Sequence, residues 1–341
     1  MGIQSPRLPE HRDIVVIGSG VTGCSVAWRL LEKGDPKTTV AVMDAREICS
    51  GATGRNGGRI HCTVVQDYDK YSRLLGQAAA RETVRFELAH LTAYHDFARE
   101  LGPEVVGESE MRHLRVISAV FDGQVLEDPK RMLDTFKRDF PDLADSYDII
   151  DTKQTQGAMV YNAGAVWPHR LITKAFQVAR SRHGGRLSIE TNTPVISVTE
   201  DIFGAQYLVK TPRGIISARH VVHCTEGHSA HLLPNLRGIV VPLKGQMTVQ
   251  CMDGFPRSIS AGDCYTFIFG QSFDYAALHP VTGEVWMGGG SSMMVEAAGD
   301  FLGEPSDAAE SIIAKAHLSG ILPTVLAAES PLKASISTKI N

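Results

Sequence analysis

Apolar residues fall along this chain in two different rhythms. "DIVVIG" (Asp13–Gly18) is a short β-branched run without polar alternation, as a strand covered on both faces requires. Val21, Cys24, Ala27, Leu30 and Leu31 then recur at helical spacing, and "KGDP" (Lys33–Pro36) ends that helix with Gly as its C-terminal cap and Pro beyond. "TTVAVMD" (Thr38–Asp44) reads as a second buried strand. Strand, helix and strand in close succession make a βαβ unit with a right-handed crossover. A long helix is expected over about residues 70–101, ending at Gly102–Pro103. A strand, a short helix near Pro129–Arg138 and polar loops follow, and then a helix over Pro168–Gly185 with Pro in its first turn.

From Arg186 the pattern turns to strands: "RLSIET", "VISVTE", "QYLVKT" and "IISARHVVHCT", the last two closed into a hairpin by "TPRG" (Thr211–Gly214). A third strand-rich block spans Ile239–Gly290, and a helix is expected near Ser306–Leu318. The order predicts an α/β fold: a Rossmann-like dinucleotide domain joined to a discontinuous antiparallel α+β domain. The expected boundaries are residues 1–80 and 155–236 for the first and 81–154 and 237–341 for the second.

Composition adds limits. A chain of 341 residues with 43% hydrophobic and 21% charged residues is of ordinary globular type and long enough for two cores. A net charge of −4 with scattered basic residues argues against a nucleic-acid partner. The six cysteines form no Cys-x-x-Cys pair and no metal-ligand spacing, so isolated thiols in a reducing compartment are expected, with no metal. Glycines interrupt the apolar stretch Ile14–Trp28, which is too short to span a bilayer, so neither a signal peptide nor a membrane segment is expected.

The chemistry concentrates at Gly18-Ser19-Gly20-Val21-Thr22-Gly23, a G-x-G-x-x-G between strand and helix. The first glycine allows the tight turn, the second lets backbone approach a pyrophosphate, and the third lets helix and strand pack closely. The helix N-terminus adds roughly 0.3–1 kcal/mol toward an anion. Asp44, at the end of the second strand, is placed to accept ribose hydroxyls and disfavours a 2′-phosphate. "CSGATGRNGGRIH" (Cys49–His61) then brings four glycines to a second approach on the same ligand. NAD is short enough to need no such loop, whereas FAD benefits from one.

These pieces resemble the FAD-dependent oxidoreductases of the D-amino-acid oxidase and glycine oxidase superfamily. The resemblance rests on "VVIGSGVTG", the acidic strand end, "SGATGRNGG", "GAVWPHRLITKAF" (Gly164–Phe176), "TPVISV" (Thr193–Val198), "HVVHCTEGHSAHLL" (His220–Leu233) and "VPLKGQM" (Val241–Met247). It implies that Gly18, Gly20, Val21, Thr22 and Gly23 border the pyrophosphate, with Asp44, Ala45 and Arg46 at the adenosine ribose. It implies that Ser50, Gly51, Ala52, Thr53, Arg55, Asn56, Gly57 and Gly58 border the ribityl chain and flavin. Val195 would meet the adenine, and Thr225 and Gly227 the diphosphate end.

Some relatives bind flavin covalently through a histidine in the glycine loop. Arg55 and Asn56 stand there in this chain, so the FAD is expected to be non-covalent, with His61 an ordinary strand histidine. The implied reaction is hydride transfer from the carbon beside an amine to flavin N5, giving an imine that water hydrolyses, with dioxygen or another acceptor reoxidising the flavin. Lys244, Arg257, Tyr265, Tyr275 and His279 are the candidates at the substrate end. A cation such as Lys244 or His279 beside the flavin would assist the reaction with oxygen. Trp167 and Trp286 read as core residues.

The family's closing segment, with a strand, a turn and a last glycine-rich helix that cap the flavin, has no counterpart before Asn341. A non-catalytic flavoprotein-like product is therefore one alternative, and an NAD-linked dehydrogenase, supported only by the shared hexapeptide and Asp44, is another. The expected partner is a small amine or amino acid, with no protein partner evident. The expected location is cytoplasmic, or peroxisomal if a longer form carries a C-terminal signal.

Overall fold

The computed structural model describes residues 2–121, 129–150, 157–251, 260, 262–269, 272–290, 302–326 and 337–339. The chain divides into two compact units. The first comprises Met1–Asn56, Ala98–Ser109 and Trp167–Leu243, and the second Gly57–Phe97, Glu110–Val166 and Lys244–Asn341.

The first unit is built on six strands: β1 (His11–Ile17) and β2 (Val40–Met43), and, beyond the second unit's strands in the chain, β7 (Leu187–Glu190), β8 (Ser197–Asp201), β9 (Gln206–Thr211) and β10 (Gly214–His223). Their order is β7-β2-β1-β10-β9-β8. β7, β2, β1 and β10 are parallel, and β9 and β8 are antiparallel additions. The unbroken apolar runs are where burial is deepest: Val15, Val16 and Val40 to Met43 have no exposed surface. The helix Val21–Lys33 begins directly after the turn at Gly18–Gly20 and ends where Gly34 N–H returns to Leu30 O at 3.1 Å. It packs on the helix Pro168–His183.

The second unit carries β3 (Arg59–Ile60), β4 (Arg112–Val120), β5 (Tyr147–Ile150), β6 (Ala158–Ala165), β11 (Gln246–Cys251), β12 (Asp263–Phe269), β13 (Ser272–Leu278), β14 (Val285–Gly289) and β15 (Ser337–Lys339). Their order is β15-β11-β14-β13-β12-β4-β6-β3, with β5 on β6. All pairs are antiparallel except β12 with β4. One face packs on a core that includes Val64, Tyr68, Phe136 and Phe140. On the other face Phe267, Ala276 and Met287 meet Leu318 and Leu322 of the helix Ile312–Leu326.

Three expectations are corrected. The expected helix over 70–101 is two helices, Val64–Leu75 and Gln77–Leu101, because Gly76 takes φ +80° between them. The last helix lies at Ile312–Leu326, later than expected. The first boundary between units falls at 56/57 instead of 80/81, since Arg59 and Ile60 pair with Ala165 and Gly164 in the second sheet. The expected residue Arg257 and most of the chain's last stretch lie outside the described residues.

Candidate functional site

The first unit assembles a backbone cradle from sequence-distant turns. Gly18 has φ +109°, and a Cβ there would run into the carbonyl oxygen of Cys224. A Cβ on Gly23 would strike Gly18 O, so helix and turn are in contact only because both residues are glycine. Gly20 lies against Thr53, whose Oγ1 accepts the Val21 N–H at 3.0 Å and would sit 2.9 Å from a Cβ on Gly20. Thr53 thereby caps one donor of the helix start. Among the described residues, the N–H groups of Gly20, Thr22 and Gly23 keep no acceptor of their own, the arrangement an anionic group needs.

Asp44 is tied into this turn through Ser19, a fully buried residue that the glycine pattern alone passes over. Asp44 Oδ2 accepts the Ser19 hydroxyl at 2.6 Å and the Ser19 N–H at 2.9 Å, and Oδ1 accepts the Arg46 N–H at 2.9 Å. Ser19 Oγ in turn accepts Cys49 N–H at 3.0 Å. The signal for it was present: a small hydroxyl residue inside the turn and a carboxylate at the neighbouring strand end. Ala45 and Arg46 are exposed beside it. Burial pushes the Cys49 thiol up to about 12, with the Asp44 carboxylate a lesser cause.

The glycine-rich stretch is less open than its composition implies. Ala52–Arg55 forms one helical turn that begins after Gly51. Asn56 Nδ2 donates to the carbonyls of Ala52 and Thr53, both at 3.1 Å, and Arg55 Nε donates to Ser50 O at 3.2 Å. These side chains fold back on their own loop. Ser50 Oγ, by contrast, is buried with no hydrogen-bond partner among the described residues, and so is His223 Nδ1, whose residue is in register with Ile17. An orphaned hydroxyl and an unpaired ring nitrogen next to a cradle of free N–H groups fit a polar ligand that completes them.

Val195 packs its side chain with Val15, Ile17, Ala41 and Met43. Its N–H lies between two bonded neighbours, Thr193 N–H to Asp44 O and Ile196 N–H to Lys210 O, and has no acceptor among the described residues. In the second glycine turn the positive φ falls on Glu226, at 47°, not on Gly227. Gly227 is needed for a different reason: a Cβ there would lie 2.7 Å from Pro242 Cα. Thr225 Oγ1 is 3.1 Å from Ser229 Oγ within the same turn.

In the second unit the substrate-end candidates separate. Tyr265 and Tyr275 occupy opposite faces of the sheet, because Tyr265 pairs with Ala276 and Thr266 with Tyr275. Tyr265 packs toward Phe267 and accepts the Ser260 N–H at 3.2 Å. His279 is committed to its turn: Nε2 lies 2.9 Å from Glu110 Oε2, and Nδ1 accepts the Thr282 N–H at 3.1 Å. It is a turn-pinning residue, and the expected role beside the flavin finds no support in this geometry. Lys244 is partly buried ahead of β11.

Tyr275 lies on a face with Arg59, which the sequence reading did not single out. Arg59 Cζ stands 4.7 Å over the Tyr275 ring, and its Nη2 donates to Thr266 Oγ1 at 2.8 Å. His61 sits nearby with Nδ1 3.4 Å from Tyr161 OH, and burial lowers its pKa to about 3. Gly57 and Gly58 belong to this unit, and a Cβ on Gly57 would be 3.0 Å from Met247 Cε. Among the described residues no cluster of His, Cys, Asp and Glu could hold a metal ion, and no helix is long and apolar enough to cross a membrane.

Comparison with known proteins agrees with this architecture. The chain is 27% identical over 248 residues to the tRNA 5-methylaminomethyl-2-thiouridine biosynthesis bifunctional protein MnmC of Burkholderia lata, covering 70% of this chain and 35% of that protein. It is 24% identical over 218 residues to the gamma-glutamylputrescine oxidoreductase of Escherichia coli, covering 62% and 48%. The chain thus spans between a third and a half of these relatives. Glycine oxidase from Geobacillus kaustophilus shares the fold with a TM-score of 0.67 at 16% identity, over 92% of this chain and 78% of that one. L-proline dehydrogenase from P. horikoshii does so with a TM-score of 0.66 at 19% identity, over 98% and 83%. The family model of the FAD dependent oxidoreductases (DAO) matches residues 13–331, and the chain belongs to that FAD-dependent family.

Proposed function

We propose that this FAD-dependent oxidoreductase oxidises a CH–NH bond of an amine or amino acid to an imine, which water then hydrolyses. When bound, FAD would supply the two-electron acceptor for this step, with dioxygen or another acceptor as the final oxidant. The first unit would hold the cofactor non-covalently and the second would receive the substrate.

The observation that carries the reading is the cradle of the first unit. Gly18, Gly20 and Gly23 let backbone lie against a pyrophosphate, and Thr22 and Gly23 offer N–H groups to it. Asp44 uses three acceptor positions on Ser19 and Arg46, and a carboxylate has about four, so one stays open for a ribose hydroxyl. Ser50 Oγ and Val195 N–H are the further unpaired groups for the cofactor's polar edges. The amine would need to lose its ammonium proton, and the second unit offers two groups neutral at pH 7, His61 and Tyr275, beside the Arg59 cation, which disfavours a second positive charge. Lys244 is the proposed cation for the acceptor half-reaction. Glycine oxidase, iminodiacetate oxidase from Chelativorans and gamma-glutamylputrescine oxidoreductase are all named for amine-bearing substrates.

The 27% identity to MnmC favours a second reading, in which the oxidised amine is carried on a modified uridine. One experiment addresses both. The purified chain is examined for visible flavin absorption and heat release of FAD, then mixed anaerobically with glycine, N-methylglycine, proline, putrescine and 5-methylaminomethyluridine. Bleaching of the flavin by an amine supports the proposal, and the amine that bleaches it fastest chooses between the readings. Reduction by dithionite but by no amine would favour the non-catalytic alternative.

A further inference from the structure

Glu190 ends β7 with no exposed surface. A carboxylate so placed must have its oxygens bonded, because a charge stripped of water and left unpaired is costly. Its partners come from two distant places. Oε1 accepts the Ser5 hydroxyl at 2.6 Å, and Oε2 accepts the Ser5 N–H at 3.1 Å and Arg213 Nη1 at 2.5 Å. Arg213 Nη2 closes the ring by donating to Ser5 O at 2.6 Å. Arg213 stands in the turn between β9 and β10, and Ser5 in the segment that precedes β1.

The neighbours of Ser5 are fastened as well. Ile3 N–H donates to Thr191 Oγ1 at 2.7 Å, and Ile3 O accepts the Thr191 N–H and hydroxyl, each at 2.8 Å. Gln4 Nε2 donates to Thr191 O at 2.7 Å. Leu8 joins the apolar cluster of Val15, Ile17, Ala41, Met43 and Val195. Residues 3–8 therefore form a strap across Glu190 and Thr191.

The same strapped segment bears on the end of β2. Asp44 N–H donates to Glu190 O at 3.0 Å, Asn192 N–H to Arg46 O at 2.9 Å and Thr193 N–H to Asp44 O at 2.9 Å. Asn192 takes φ +50°, a left-handed conformation that persists where its surroundings hold it. Thr191 and Thr193 have no exposed surface, so water does not replace these bonds. The backbone of Asp44 is located by residues 190–193, and those residues are located by the strap.

We propose that Glu190 and the strap of residues 3–8 are positioning elements for the adenosine half of FAD. They act through Asp44, by fixing the backbone that aims its carboxylate, and not on the ligand. The adenosine assignment of Asp44 belongs to the proposed function, on which this inference rests. The segment ahead of the first strand thereby becomes part of the FAD-binding apparatus.

The test titrates FAD into the flavin-free chain, at a temperature where circular dichroism shows every variant folded, so that lost global stability alone leaves the dissociation constant unchanged. Glu190→Gln should weaken FAD by about 3- to 10-fold and Ser5→Ala by about 2- to 3-fold. In protein that already carries Asp44→Ala, neither should weaken it further, since residues that act through one group are non-additive. Coupling is reciprocal. FAD should therefore slow tryptic cleavage after the exposed Arg7 by about threefold or more in the parent, and leave it unchanged in Asp44→Ala protein. Unchanged FAD affinity in Glu190→Gln and Ser5→Ala, losses that add in full to that of Asp44→Ala, or a strap that FAD does not protect would overturn the proposal. Unchanged affinity in Asp44→Ala itself would bring down the cofactor assignment of Asp44, and this inference with it. If Glu190→Gln does not fold, Ser5→Ala, which keeps the ion pair with Arg213, decides. Flavin bleaching by amines is read separately, so the oxidation chemistry stands or falls on its own.

Discussion

Ser19 places both its hydroxyl and its backbone N–H on one oxygen of Asp44, at 2.6 and 2.9 Å. The carboxylate that closes β2 is therefore also the brace that shapes the glycine turn after β1. On the proposed reading, a cofactor contact and a folding contact would share one side chain.

Removing that carboxylate should show both effects. Asp44→Ala leaves two N–H groups and a buried hydroxyl without their acceptor, a loss of about 2 kcal/mol of stability, and FAD affinity should fall by about tenfold or more. Thermal unfolding of the apoprotein reads the first, and fluorescence titration with FAD the second. Unchanged FAD affinity would remove Asp44 from the cofactor site.

The place of the Tyr275 ring depends on Gly288, opposite it on β14, where a Cβ would fall on the tyrosine hydroxyl. Gly288→Ala should force the ring off β14 at a cost of about 1–3 kcal/mol, as overpacking does. A lower urea midpoint at unchanged m-value checks it, and a variant as stable as the parent would mean that the ring has another place to go.

His61 sets a pH dependence of known sign. Its pKa is about 3 in the folded protein, against an ordinary value of 6.5. The unfolded chain therefore binds the extra proton first as pH falls, and stability rises with pH across this window. The contribution is complete above pH 6.5 and is lost progressively toward pH 3. Between pH 6 and pH 5 the parent should lose about 1 kcal/mol more than His61→Gln. Urea unfolding at the two pH values measures this difference, and parallel slopes would refute it.

Thiol reactivity should sort by burial. All six cysteines are free. Burial raises the pKa of Cys24, Cys49 and Cys264, and of Cys62 to about 11, whereas Cys251 is exposed. A chromogenic disulfide reagent should label Cys251 first in the native protein and reach Cys24, Cys49 and Cys264 only on unfolding. Peptide mapping identifies the order, and early labelling of Cys49 would contradict the buried turn around Ser19.

The sequence by itself determined the scaffold of the first unit. "IVVI" and "VAVM" are apolar at every position, and only a strand covered on both faces can use such runs, so a βαβ unit with glycines at its turn could be read directly. Asp44 was legible for the same reason, since a carboxylate at the end of such a strand stands where the strand emerges from cover. The break at Gly76 was less legible, because a single glycine is tolerated inside a helical pattern and helix-forming residues stand on both sides of it.

Tertiary structure alone decided which distant residues meet. Arg59 and Thr266 are 207 positions apart, and nothing in the local pattern of either names the other. Gly227 reads as a turn glycine, yet its missing side chain makes room for Pro242 while Glu226 takes the left-handed conformation. His279 reads as a free cation and is held by Glu110 instead. Periodicity encodes how deeply a side chain is buried. Its partners are set by the register of strands brought together from far along the chain, and a one-residue change in that register would turn Tyr275 away from Arg59.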